Sequence, residues 1–177
     1  MFERNAGGTN AWGQVAELTA SDKAPIDYFG ISVSVAGDLA LVGASYANPE
    51  GSNDAGAVYM FERNAGGTNA WGQVIKLTAS DMGVADYFGQ SVSIAGGMAL
   101  IGAYKADPSG TNNAGAAYIF PMQYTNWTQK SKLTASDKAV TNQFGISVSV
   151  AGDVALVGAY LADPGGVSDA GAAYVFE

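Results

Sequence analysis

The sequence contains no cysteine and no histidine. Those two absences exclude a Ser-His-Asp triad, a thiol nucleophile, a thiolate or imidazole zinc site and any disulfide. Basic residues are scarce: 8 Lys plus Arg face 16 Asp plus Glu, for a net charge of −8. A phosphate backbone is held by clustered Lys and Arg, so no nucleic-acid partner is expected. No apolar run approaches the ~18 residues of a membrane span. The start, Met-Phe-Glu-Arg-Asn-Ala-Gly-Gly, lacks the apolar stretch of a signal peptide. Absent cysteine suits the cytosol and many bacterial surface proteins alike, so it does not fix the compartment. What is present points to an ordered chain. Of its 177 residues 48% are hydrophobic, with three Trp, nine Tyr and seven Phe, which speaks against disorder and for one domain spanning residues 1–177.

The chain repeats itself. Phe2 to Val15 reads FERNAGGTNAWGQV, and Phe61 to Val74 reads the same. Tyr28-Phe29-Gly30 recurs as Tyr87-Phe88-Gly89, and Phe144-Gly145 opens a third copy. Taking Phe2, Phe61 and Phe120 as the register gives repeats 2–60, 61–119 and 120–177.

Each repeat carries four strand signals separated by turn residues. The first strand covers Phe29 to Ala36, Phe88 to Ala95 and Phe144 to Ala151, and it alternates: Val33 and Val35 face one way, Ser32 and Ser34 the other. Small serines suit a crowded position near an axis. The second strand, Leu39 to Ala44, Met98 to Ala103 and Val154 to Ala159, is apolar on both faces and is expected to be covered on both. The third covers Gly56 to Glu62, Gly115 to Phe120 and Gly171 to Phe176. The fourth runs from Trp12, Trp71 and Trp127 to Thr19, Thr78 and Thr134; in the last copy Lys130 and Lys132 mark a charged outer edge. Short links make neighbours antiparallel. The predicted fold is all-β: β-propeller blades of four antiparallel strands, three repeats of about 59 residues. A β-helix is the competing architecture, and a helical solenoid is excluded by the lack of any 3.6-residue stripe.

Phe29-Gly30 followed by Val42-Gly43-Ala44, with Phe88-Gly89 and Ile101-Gly102-Ala103, and Phe144-Gly145 and Val157-Gly158-Ala159, resembles the FG-GAP repeat. That repeat builds the propellers of integrin alpha subunits and of many bacterial extracellular proteins. The surrounding pattern, LTASD, FGxSVSVAGD, ALVGA and GAAYVF, is closer to the bacterial form. The resemblance implies an extracellular or cell-surface role in protein or glycan binding or adhesion, and no enzyme activity. Two alternatives stand beside it: a purely structural spacer, or the non-catalytic part of a propeller enzyme acting on polysaccharide. Many members of the family carry a DxDxDG calcium loop between the first two strands. Gly37-Asp38-Leu39, Gly96-Gly97-Met98 and Gly152-Asp153-Val154 leave no room for it. Calcium needs several converging oxygens, so no cofactor and no metal site is expected.

Function sits on loops held by a rigid scaffold. The loops after the second strand and before the first share one face and vary most between copies. That face is the expected binding surface, with Asn48, Glu50, Asn53 and Asp54 in the first copy. Asp107, Asn112 and Asn113 stand in the second, and Asp163, Ser168 and Asp169 in the third. The bland reading, ordinary turn chemistry of Asn, Asp, Gly and Pro, carries more weight. Asp22, Asp81 and Asp137 read as turn or capping carboxylates. Asp27 and Asp86 become Asn142, which suggests hydrogen bonding more than charge. Trp12, Trp71 and Trp127 read as packing anchors. Asn126-Trp127-Thr128 fits a glycosylation sequon without further support. Three near-equal copies offer no single asymmetric constellation for catalysis, and no pair of carboxylates stands out.

Propellers close with about four to eight blades. Three would leave two open flanks, each with on the order of 300 Å² of apolar surface, or roughly 8 kcal/mol of missing burial. The expected solutions are flanking blades of a longer chain, with Met1 internal to a strand, or a homodimer closing a six-bladed ring. A third is self-closure, with the N-terminal fourth strand completing the last blade.

Overall fold

The structure is a computed structural model that describes residues 1–123 and 126–177. It is all-β: fourteen strands and three short 3-10 turns among the described residues, every strand pair antiparallel. The chain opens with a hairpin of β1 (Phe2–Arg4) and β2 (Trp12–Gln14). A four-stranded sheet follows in the order β3 (Ser32–Ala36), β4 (Leu39–Ala44), β5 (Ala57–Arg63) and β6 (Trp71–Leu77). The second sheet is β7 (Ser91–Ala95), β8 (Met98–Ala103) and β9 (Ala116–Gln123). Its outer strand is in two pieces, β10 (Asn126–Trp127) and β11 (Ser131–Leu133), both paired with β9. The third has three strands, β12 (Ser147–Ala151), β13 (Val154–Ala159) and β14 (Ala172–Phe176). These sheets are blades 1, 2 and 3 of a partial propeller. β2 pairs with β1 and β14 pairs with β13, so the chain does not close on itself through its N-terminal strand.

The core lies between blades. β3 packs on β7 and β7 on β12, so the first strands stand side by side along one line. Between blades 1 and 2, Leu41 and Met60 meet Val92, Ile94, Ile101 and Phe88 in one buried cluster. Between blades 2 and 3, Leu100 meets Val150, Val157 and Phe144. The two faces of each first strand therefore have different tasks. Its valines face the preceding blade. Its serines face the following one: Ser32 Oγ donates to Gly89 O at 2.7 Å and Ser91 Oγ to Gly145 O at 2.8 Å. Ser34 and Ser93 Oγ accept from the backbone N–H of Ile94 and Val150, at 3.1 and 3.0 Å. The small serines are thus inter-blade hydrogen-bonding groups.

The Phe-Gly and Gly-Ala elements meet at the same joints. A Cβ on Gly43 would lie 2.0 Å from Gly89 O, and one on Gly102 would lie 1.9 Å from Gly145 O. Only glycine lets the next backbone come this close. Two parallel bridges, Gly56 to Phe88 and Gly115 to Phe144, complete each joint.

The tryptophans divide by neighbour. Trp127 is 6% exposed and anchors blade 2, Trp71 is half-buried under Arg63, whose guanidinium lies 5.1 Å from its ring centre, and Trp12 is 67% exposed. The packing-anchor expectation holds at Trp127 and fails at Trp12, because the N-terminal hairpin lacks the two inner strands of a blade.

Candidate functional site

The loops before the first strands and after the second strands do share one face, and they interlock between blades through main-chain atoms. The carbonyls of Asn53, Asp54 and Ala55 accept from the N–H groups of Ala85, Tyr87 and Phe88, at 2.9, 3.1 and 2.9 Å. The carbonyls of Asn112, Asn113 and Ala114 do the same for Thr141, Gln143 and Phe144, at 3.0, 3.2 and 2.9 Å.

Three of the expected site side chains have local tasks. Asn48 Oδ1 accepts from Asp54 N–H at 2.7 Å, Asp107 Oδ1 from Asn113 N–H at 2.6 Å, and Asp163 Oδ1 from Asp169 N–H at 2.7 Å. Each bond closes its own loop around a 3-10 turn, at Pro49–Gly51, Pro108–Gly110 and Pro164–Gly166. Asp54, Asn113 and Asp169 sit in the left-handed region, at φ of 52°, 48° and 51°, where Asn and Asp are the tolerated side chains. Glu50 is left-handed as well, at φ 53°. Glu50, Asn53, Asn112 and Ser168 are exposed. The ten residues lie on three loops, one per blade, each loop organised by its own Asx bond. Among the described residues no three Asp or Glu side chains come together as a cation-holding group.

The same face carries a row of aromatic rings that the repeat pattern does not announce. Tyr28 and Tyr46 lie 4.7 Å apart between ring centres, Tyr46 and Tyr87 4.8 Å, and Tyr87 and Tyr104 5.6 Å. Lys105 Nζ stands 4.8 Å from the Tyr87 ring centre and 5.6 Å from that of Tyr104. Tyr28 and Tyr87 reach their places because each precedes Phe-Gly in a left-handed conformation, at φ 53° and 57°. Tyr46 and Tyr104 stand at adjacent, non-equivalent positions after the second strand, so no single repeat column contains the row. Burial, then the neighbouring Tyr46 and Asp54, raises the Tyr87 hydroxyl above the ordinary tyrosine range. Burial first, then the surrounding tyrosines, does so for Tyr104. Both shifts keep Tyr87 and Tyr104 neutral donors at physiological pH. Ile26, Val84 and Val140 stand exposed on the adjoining loop tips.

Asp22 and Asp81 also join a loop to the outer half of the blade it enters, a task beyond turn capping. Lys76 Nζ donates to Asp22 Oδ2 at 2.7 Å and sits 5.5 Å from the Tyr59 ring centre. Lys132 Nζ donates to Asp81 Oδ2 at 2.6 Å, and Tyr118 OH donates to Oδ1 at 3.0 Å. The Lys76 hydrogen bond holds the Asp22 carboxyl below the ordinary range. At Asp81 burial pushes upward, and the bonds from Lys132 and Tyr118 outweigh it, so the net direction is also down. In blade 3 burial and then the Asp137 carboxylate push the Tyr174 hydroxyl up to about 12. Asp27 and Asp86 are buried and accept from the N–H three residues back, Ala24 and Gly83, at 2.8 and 2.7 Å. Asn142 is buried at the same place, in keeping with a hydrogen-bonding position.

Comparison with known proteins matches this architecture. The model of the FG-GAP repeat family matches three times, at residues 12–61, 71–120 and 127–176. No curated protein matches the chain as a relative.

Proposed function

The chain belongs to the FG-GAP repeat family, and on that premise we propose that it is a non-enzymatic binding module of an extracellular or cell-surface protein. It holds a protein or glycan ligand on its loop face. One observation carries the reading: the row Tyr28, Tyr46, Tyr87 and Tyr104 with Lys105 on that face. Tyrosine rings offer a broad apolar surface with a polar rim at low entropy cost, which is why they are frequent in recognition surfaces. The row joins two blades, so the joint that holds them also fixes ring spacing. Exposed Ile26 and Val84 extend the apolar strip, and Asn53 and Glu50 supply polar groups beside it.

The test is a glycan and protein array probed with the chain and with Tyr46→Ala and Tyr87→Ala variants. Binding that drops at least about tenfold in both variants, with folding unchanged by circular dichroism, is the expected result. Ligands bound equally by all three proteins would place recognition elsewhere. No ligand on either array would favour the spacer role.

A further inference from the structure

We propose that Tyr46 and Tyr87 form a site of oxidative cross-linking, at which a peroxide-driven one-electron oxidant joins blades 1 and 2 through a carbon–carbon bond between the two rings. The chain has no cysteine, so no disulfide can tie one blade to the next. The joint between blades 1 and 2 is held by hydrogen bonds and apolar packing. Tyrosine is the other common side chain that bonds to its own kind under mild oxidation.

Three observations place the reaction at this pair. The ring centres lie 4.8 Å apart, with the ring planes at 56° to each other, and both rings are half-buried. Held this close, two radicals couple in an intramolecular step. The hydroxyls are neighbours as well: after burial, the Tyr46 side chain is among the groups that raise the Tyr87 hydroxyl. Coupling joins the ring carbons next to the hydroxyls, so close hydroxyls bring the reacting carbons together. The third observation is position. Tyr46 follows β4 and Tyr87 precedes β7, so their bond crosses the joint. Tyr28 and Tyr46, at 4.7 Å, both belong to blade 1, and Tyr87 and Tyr104, at 5.6 Å, both belong to blade 2. Between blades 2 and 3 the same two repeat columns hold Lys105 and Gln143. One joint therefore carries the reactive pair and the other does not.

The chemistry balances. Each phenol gives up one electron and one proton. The two phenoxyl radicals couple at the carbons next to their oxygens. The hydrogens on those carbons pass to the oxygens, which restores two phenols. Two electrons and two protons leave in all, and one hydrogen peroxide takes them up as two waters. The product is lighter than the starting chain by two hydrogens.

The test treats the 177-residue chain, at low micromolar concentration, with a haem peroxidase and hydrogen peroxide. Dityrosine fluorescence at a single-chain mass is expected, and peptide mapping is expected to find Tyr46 joined to Tyr87 with two hydrogens lost. Methionine oxidation is told apart by its gain of oxygen. Tyr46→Phe and Tyr87→Phe keep a ring in place, and each is expected to abolish the joined peptide. Tyr28→Phe and Tyr104→Phe are expected to leave it. The cross-link constrains the unfolded chain, so the joined protein is expected to melt about 5–10 °C above the untreated one. Coupling mainly within a blade, at Tyr28–Tyr46 or Tyr87–Tyr104, would overturn the proposal. So would cross-links between chains only, or a joined protein that melts no higher. Absence of dityrosine while the exposed Tyr28 and Tyr160 are oxidised would overturn it too.

Discussion

Blades 2 and 3 are built from nearly the same residues and differ in their neighbours. Leu100 of blade 2 is fully buried, while its copy Leu156 in blade 3 is 43% exposed. Ser91 donates to the Gly145 carbonyl of the next blade, and Ser147 is exposed. Burial here is a property of a pair of blades. A sheet is apolar on its faces and must bury them against another layer, and each joint supplies that layer to both of its blades. The same residue is core in the middle of the array and surface at its end.

The largest expected effect breaks or upholds that comparison directly. Leu100→Ala removes a fully buried side chain from a joint and is expected to cost about 3–4 kcal/mol. Leu156→Ala, measured in dilute protein, is expected to cost about 1 kcal/mol or less. Chemical denaturation reads both, and equal losses would show that the joint does not set the burial. Next is the glycine pair. An alanine at Gly102 drives its Cβ onto the Gly145 backbone at 1.9 Å, while at Gly158 it meets only the Ser147 hydroxyl at 2.3 Å, which can rotate away. Gly102→Ala is expected to cost about 2–3 kcal/mol and Gly158→Ala under about 1 kcal/mol.

Acid sharpens the comparison on a smaller scale. The Asp81 carboxyl is held below its ordinary 3.8 by Lys132 and Tyr118, against the opposing push of burial. A depressed carboxyl adds stability above its unfolded value, and that stability is lost as pH falls through the folded value, below 3.8. Both partners are partly exposed, so the contribution is about 0.5–1 kcal/mol. Asp81→Asn is expected to cost that much at neutral pH and nothing at about pH 2, whereas Asp137→Asn, in the three-stranded blade, is expected to cost less. pH-dependent melting of the two variants separates them. The smallest effect belongs to Asp86. Burial raises its carboxyl, which disfavours the ionised form in the fold, so stability rises as pH falls through the raised value. Asp86→Asn copies the Asn142 of blade 3 and keeps an acceptor for Gly83 N–H. A gain of a few tenths of a kcal/mol at pH 7, vanishing in acid, is the expected outcome.

Much of the fold was legible in the residues because each blade repeats it. The second strands run over the predicted Leu39 to Ala44, Met98 to Ala103 and Val154 to Ala159. A continuous apolar run behind a tight glycine turn leaves little freedom there. The first strands begin later than their pattern suggests, at Ser32, Ser91 and Ser147. Phe-Gly belongs to the joint: Gly30, Gly89 and Gly145 take positive φ, and Phe88 and Phe144 N–H bond back to the preceding blade. The fourth strands differ most. Trp12–Gln14, Trp71–Leu77 and the split β10 and β11 follow the strand each has to pair with, which a local pattern does not contain. Loop variability singles out one face, and of its ten expected residues Asn48, Asp107 and Asp163 spend their side chains on closing their own loops. The tyrosine row escaped because its members occupy different repeat columns and converge only across a joint.

The identity of Phe2–Val15 and Phe61–Val74 has a kinetic side. A folding chain holds two interchangeable copies of one outer-strand segment, Trp12–Val15 and Trp71–Val74, and either can be offered to the edge of β5. Local sequence over those fourteen residues cannot tell them apart. The residues just beyond can: Ala16 and Glu17 in one copy, Ile75 and Lys76 in the other. Lys76 finds Asp22 and the Tyr59 ring, whereas Glu17 in that position would bring a carboxylate to both. The wrong copy would thus forfeit the Lys76 ion pair with Asp22, a bias of about 1 kcal/mol or less between partly exposed groups.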